Sequence, residues 1–140
     1  QRICAELGIQ QARWGGRQHY LRWRNPVTWR GWAEAGLDYD STLGFARRAG
    51  FRCGTCHPFQ AFDLERETPF DLVEWPMTVM DVAALPPAAR FEDAAAKIAR
   101  LRGRIRAHGG DFVWLWHNTF TMTHGGRTRF RAIMNSAGGT

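Results

Sequence analysis

The stretch Gly36-Leu37-Asp38-Tyr39-Asp40-Ser41-Thr42-Leu43-Gly44-Phe45-Ala46-Arg47-Arg48-Ala49-Gly50-Phe51-Arg52-Cys53-Gly54-Thr55-Cys56-His57-Pro58-Phe59 holds the densest signal in the chain. Leu37 to Phe45 reads as a strand, entered through a glycine of the kind that closes a helix. Arg47 to Asp71, rich in Gly, Pro and charge, reads as a loop broken by a short extended piece. Just upstream, Asn25-Pro26 marks a helix start, a side-chain cap followed by proline at the first helical position. That helix should run to about Ala35 with Trp29, Trp32 and Ala33 on its buried side, and stop at Gly36. Earlier still, Arg2 to Leu7 reads as a helix ended by Gly8, and Gln10 to Trp23, around Gly15-Gly16, as a strand leading into a functional loop.

Downstream, Phe70 to Val82 carries Leu72, Val73, Trp75, Met77, Val79 and Met80 and reads as a strand interrupted by Pro76. Pro86-Pro87 then opens the clearest helix of the chain. In it Phe91, Ala94, Ala95, Ile98, Leu101 and Ile105 recur at spacings of three and four and so share one face. His108-Gly109-Gly110 ends it. Phe112-Val113-Trp114-Leu115-Trp116 is a continuous apolar run, expected of a parallel strand covered on both faces. Helices and strands alternate, which predicts the α/β class with mostly parallel strands.

The chain has 140 residues, 44% hydrophobic and 23% charged, enough for at most one domain with a real core. No apolar run approaches the ~20 residues that span a bilayer, and the first residues carry no signal-peptide pattern. The net charge of +6 is carried almost wholly by arginine, since Lys97 is the only lysine. These arginines are spread over several elements. The cluster Arg100, Arg102, Arg104 and Arg106 includes a helix C-terminal turn, where cations favourably face the dipole. No nucleic-acid reading module accompanies the charge, so no nucleic-acid partner is expected. Three cysteines, Cys4 alone and Cys53 and Cys56 close neighbours, argue against a disulfide-stapled secreted fold. The cytoplasm is the favoured location, with the cell envelope as the alternative.

Cys53-Gly54-Thr55-Cys56-His57 has the Cys-x-x-Cys-His spacing that attaches c-type haem. On that reading His57 and one of Met77, Met80 or Met122 would be axial ligands. A small cytochrome is usually helical, however, and this chain alternates strands with helices. Cys53, Cys56 and His57 could also contribute to a zinc site.

A second reading covers more of the chain. The order Arg17-Gln18-His19-Tyr20, a short helix ending at Ala35-Gly36, Tyr39-Asp40-Ser41 and finally Leu115-Trp116-His117 resembles the polysaccharide deacetylase (NodB-homology) family, from about Gly16 to Asn118. Within it the strings Tyr39-Asp40-Ser41-Thr42-Leu43-Gly44-Phe45 and Gly50-Phe51-Arg52-Cys53-Gly54-Thr55-Cys56 look closest to a subset of members. The resemblance implies an irregular (β/α) barrel, present here in part, and a divalent metal, usually zinc, that activates water against an acylated sugar. It implies that Arg17 fixes a catalytic carboxylate, that the Tyr20 backbone N–H faces the developing oxyanion, and that His117 is the general acid. Asp38 or Asp40 would be the carboxylate beside His117, and Trp116 could face the sugar. Taken without the resemblance, His117 reads as a core histidine, Arg17 as a surface arginine and Asp40 as a turn cap.

The chain departs from the family in two ways. Arg-Pro-Pro-Tyr-Gly is here Arg17-Gln18-His19-Tyr20-Leu21. No Asp-Asp pair occurs, and no two histidines lie three to five residues apart, so the metal ligands and the base are not expected in this chain. With a start at Gln1, residues 1–140 are expected to be the C-terminal part of one catalytic domain, inactive alone. A non-catalytic sugar-binding remnant is the remaining alternative.

Overall fold

The computed structural model of the chain describes residues 2–85 and 90–135. It is a mixed α/β structure whose strands are mostly parallel: three of its four ladders are parallel and one is antiparallel. The chain divides into two compact units, Gln1–Leu43 with Pro58–Trp75, and Gly44–His57 with Pro76–Thr140. Among the described residues no barrel is closed; the strands form one sheet of four and one of two. A closed β/α barrel takes about eight strands.

The first unit holds α1 (Arg2–Glu6), β1 (Gly15–Gly16), a 3-10 turn (His19–Leu21), α2 (Val27–Glu34), β2 (Tyr39–Asp40), β3 (Phe59–Asp63) and β4 (Thr68–Glu74). Its sheet runs β1-β2-β4-β3. The pairs β1–β2 and β2–β4 are parallel, with Gly15 opposite Tyr39 and Asp40 opposite Glu74. Gly15 is required by this register, because a Cβ there would collide with the carbonyl oxygen and ring of Tyr39. Gly15→Ala is therefore expected to cost about 1–3 kcal/mol, as overpacking does, read as a lower denaturant midpoint.

Trp29 on α2 is buried, edge-to-face with Trp23 at 4.8 Å and with Phe59 at 6.2 Å, and Leu72 and Ala61 on the sheet are buried as well. The expected Asn25 cap is not formed. Helix α2 carries no side-chain cap bond at its start; instead the Arg24 N–H donates to Thr28 Oγ1 at 2.9 Å. Gly36 adopts φ +67 beyond the helix, as its position predicts.

Strands β3 and β4 form an antiparallel hairpin; β3 and the turn lie in the segment expected to be loop, and β4 runs on into the expected strand. Its turn has no Gly or Pro. Asp63 does their work: its Oδ1 accepts from the N–H groups of Glu65 at 3.0 Å and Arg66 at 3.2 Å. Oδ2 of the same residue takes Arg30 at 2.6 Å, tying α2 to the hairpin.

The second unit holds β5 (Val79–Met80), α3 (Asp81–Ala84), α4 (Phe91–Ala107), β6 (Trp114–Leu115), α5 (Asn118–Thr121) and α6 (His124–Asn135). The apolar run expected to be one strand interrupted at Pro76 is thus two strands, β4 and β5, in different sheets. Proline has no N–H to continue a ladder. Helix α4 lies where its periodicity predicts and buries Ala94, Ile98 and Ile105. The Pro86-Pro87 opening expected for it lies outside the described residues. Val79, Ala84, Ile98 and Ile133 form the core, flanked by Phe91, Leu101, Phe112 and Trp114. Glu92 and Asp93 occupy the first turn of α4 and Arg104 and Arg106 the last, complementing its dipole. Other arginines lie over rings, Arg102 on Phe112 and Arg129 on Phe91. Among the described residues no helix is long and apolar enough to cross a membrane.

Candidate functional site

Parallel strands place their C-terminal ends, and the loops leaving them, on one edge of a sheet. In each unit the polar residues gather at that edge.

In the first unit Arg17 follows β1, Asp40 ends β2 and Glu74 ends β4. Half-buried Arg17 donates from Nε to the Ser41 carbonyl at 2.6 Å and from Nη2 to Ser41 Oγ at 2.8 Å. Next to it, the Gln18 N–H donates to Thr42 Oγ1 at 2.9 Å. Asp40 Oδ1 accepts from the Thr42 N–H at 3.0 Å and from the Thr42 hydroxyl. Glu74 Oε2 accepts from the Trp29 indole at 3.1 Å, and Oε1 from the Leu43 N–H at 3.0 Å. Asp40 and Glu74 are both fully buried. Burial raises the Asp40 carboxyl above its ordinary value, against the Thr42 and backbone donors. Burial and then the Asp40 charge push Glu74 up to about 8. Desolvation lowers Arg17, opposed by the charges of Asp40, Glu74 and Tyr39.

In the second unit Asp81 follows β5 and His117 follows β6, and β5 and β6 are parallel neighbours. Asp81 Oδ1 lies 2.8 Å from His117 Nδ1 and accepts from the Val82 N–H at 2.6 Å. Asp81 Oδ2 accepts from the His117 backbone N–H. The carboxylate is wholly buried, whereas the His117 side chain is 45% exposed. An acceptor-only carboxylate at Nδ1 selects the tautomer protonated there. Nε2 is left as the ring's second site for a proton.

The carboxylate that holds His117 is therefore Asp81, and neither Asp38 nor Asp40, which were expected there. Asp38 Oδ2 instead accepts from the Trp14 N–H at 2.6 Å, and Asp40 serves the Ser41–Thr42 turn. Asp81 and Glu74 were both missed, although each carries the signal of a lone carboxylate inside an apolar run, Met77 to Val82 and Leu72 to Trp75. A charge in such a place must find partners.

Tyr20 has φ 59 and an exposed side chain, against His19 on one side and the Arg22 guanidinium on the other. Trp116 packs edge-to-face with Trp114 at 5.0 Å and against Phe130 and Phe120. Cys56 and His57 border a cavity of about 360 Å³ together with Phe51, Arg104, Ile105 and His108. Met77, Met80 and Met122 do not line it. Among the described residues no three His, Cys, Asp or Glu side chains group so as to hold a metal ion. The residues described here do not make up a metal centre.

Comparison of the chain with protein-family models, with curated proteins and with solved structures finds no match.

Proposed function

We propose that this chain carries part of the catalytic machinery of a carbohydrate deacetylase of the polysaccharide deacetylase type. Such an enzyme hydrolyses an N-acetyl or O-acetyl type group from a sugar or polysaccharide. The observation that supports this reading best is the grip of Asp81 on His117 at adjacent parallel strand ends, with the imidazole open to solvent.

In this reading Asp81 fixes the His117 tautomer and steadies the positive ring. His117 Nε2–H gives its proton to the nitrogen or oxygen that leaves as the acyl bond breaks. Arg17, turned toward the strand ends and held by Ser41, orients the carboxylate that draws a proton from water. Tyr20 and Trp116 are assigned to the sugar side of the site. The reading requires metal ligands and a base from a further segment of polypeptide.

Acetate release from acetylated chito- and xylo-oligosaccharides, measured on the complete polypeptide that contains this chain, tests the reading. Release that depends on His117 and Arg17 is expected. No release from any acylated sugar, or a covalent haem adduct on Cys53 and Cys56 by mass spectrometry, would overturn it.

A further inference from the structure

Asp40 and Glu74 face each other from neighbouring parallel strands, and no water reaches either carboxyl. The two residues are direct partners in the parallel ladder, yet Asp40 Oδ2 has no N–H or hydroxyl donor. Every other oxygen of the pair is satisfied: Thr42 serves Asp40 Oδ1, Leu43 serves Glu74 Oε1 and Trp29 serves Glu74 Oε2. An orphaned buried carboxylate oxygen is costly, and two like charges side by side away from water cost more. One proton between the carboxyls removes both penalties.

The surroundings agree. Arg17 is a cation whose field meets both carboxyls, and the charge of Tyr39 also acts on Arg17. From α2 comes the Trp29 indole, and β3 sets Phe59 opposite Glu74. Arg17 does not reach either carboxylate; its donors go to Ser41. One positive charge beside a pair holding one proton leaves a neutral cluster. A second ionisation would leave a buried excess negative charge.

We propose that Asp40 and Glu74 share one proton in the folded chain, and that this proton fixes the Ser41–Leu43 segment on which Arg17 and Gln18 are hung. The pair thereby acts as a positioning device for Arg17. The catalytic use of Arg17 rests on the deacetylase reading, whereas the shared proton does not. Loss of the proton frees the pair to repel, loosening the Leu43 and Thr42 bonds and with them the seat of the guanidinium.

The experiment titrates the nitrogen-15-labelled chain, without substrate, from about pH 4 to about pH 10, a range that brackets ordinary and raised carboxyl values. The Trp29 indole N–H and the Ser41, Thr42 and Leu43 amides are expected to move together with a midpoint near 8. The folded state keeps a proton that the unfolded chain releases near its ordinary 4.5. Stability from the pair is therefore full below that value and declines as pH rises toward 8. In Glu74→Gln the amide NH₂ can donate to Asp40 Oδ2 but cannot accept, so either the Trp29 indole or the Leu43 N–H loses its acceptor and shifts; with no proton left to share, the common midpoint should vanish and the pH dependence of stability should flatten. In Asp40→Asn the neighbouring charge is gone and the midpoint should fall by about 1–3 pH units.

Resonances of the unsubstituted chain that stay flat across the range would overturn the shared proton without any variant having to fold. So would a titration that persists in Glu74→Gln. In the acetate assay, Glu74→Gln should remove an alkaline decline seen in the unsubstituted enzyme. Titrating resonances without any acyl release would sink the deacetylase reading and leave the shared proton standing. Acyl release with flat resonances would do the reverse.

Discussion

Replacing His117 by alanine is expected to lower turnover on an acylated sugar by about 10²–10⁴-fold, the usual contribution of a positioned general acid. The loss should fall on kcat rather than on KM, because the imidazole gives its proton only as the acyl bond breaks. Asp81→Asn should cost nearly as much by a different route. The asparagine keeps an acceptor for the His117 backbone N–H but can turn its NH₂ toward Nδ1, which then must stay unprotonated, so the ring carrying protons on both nitrogens, the form that can give up the Nε2 proton, is disfavoured. The tautomer can be read directly from ring nitrogen shifts: Nδ1–H in the unsubstituted chain, Nε2–H in Asp81→Asn. Metal content should match the parent in both variants, since the resemblance places the ligands elsewhere. Loss of metal on His117→Ala would make that residue a ligand. Full activity in both variants would return it to an ordinary strand-end histidine.

The largest expected effect on stability is at Trp29. This side chain is 5% exposed, packs against two aromatic rings and donates to a buried carboxyl. Trp29→Ala should therefore destabilise by about 3–5 kcal/mol, as large aromatic deletions in cores do. Against a typical margin of about 5–15 kcal/mol, that leaves little of the folded state. Trp29→Phe separates the two contributions: it retains most of the ring packing and removes the N–H, leaving Glu74 Oε2 short of a donor. A cost of about 1–3 kcal/mol is expected from that loss alone. Urea unfolding of both variants measures the difference. A phenylalanine variant as unstable as the alanine one would mean the indole N–H, rather than the packing, dominates.

Much of the fold is legible from local pattern. Helix α4 announces itself because its apolar residues return every three or four positions, a spacing only a helix can put on one face. Helix α2 and the Gly36 stop are legible for a similar reason, although the expected Asn25 cap is not made and Thr28 Oγ1 accepts from the Arg24 N–H instead. The β3–β4 hairpin is illegible because its turn is made by one aspartate side chain, in a stretch whose charge looked like solvated loop.

The candidate site divides along the same line. Arg17, Asp40 and His117 stand at strand ends, which a string of residues can suggest. Their partners cannot be read that way. Asp81 lies 36 residues from His117, and Glu74 lies 31 from Leu43 and 45 from Trp29. Burial makes each of those carboxylates matter, and burial is a property of the assembled sheets rather than of any one strand.

Neither unit is a continuous piece of chain, and this bears on the order in which the protein can be built. Residues 44–57 leave the first unit and rejoin the second before the hairpin is made. As the polypeptide emerges from the ribosome, the first unit has all its parts once Trp75 is out. The second unit still lacks α6, whose Ile133 belongs to the same core as Val79. For part of that interval the Gly44–His57 excursion waits for its partners, the Thr78 carbonyl that takes the Gly50 N–H and the Asp111 N–H that donates to the Cys56 carbonyl. Thiols held in a nascent chain are open to oxidants and to other thiols.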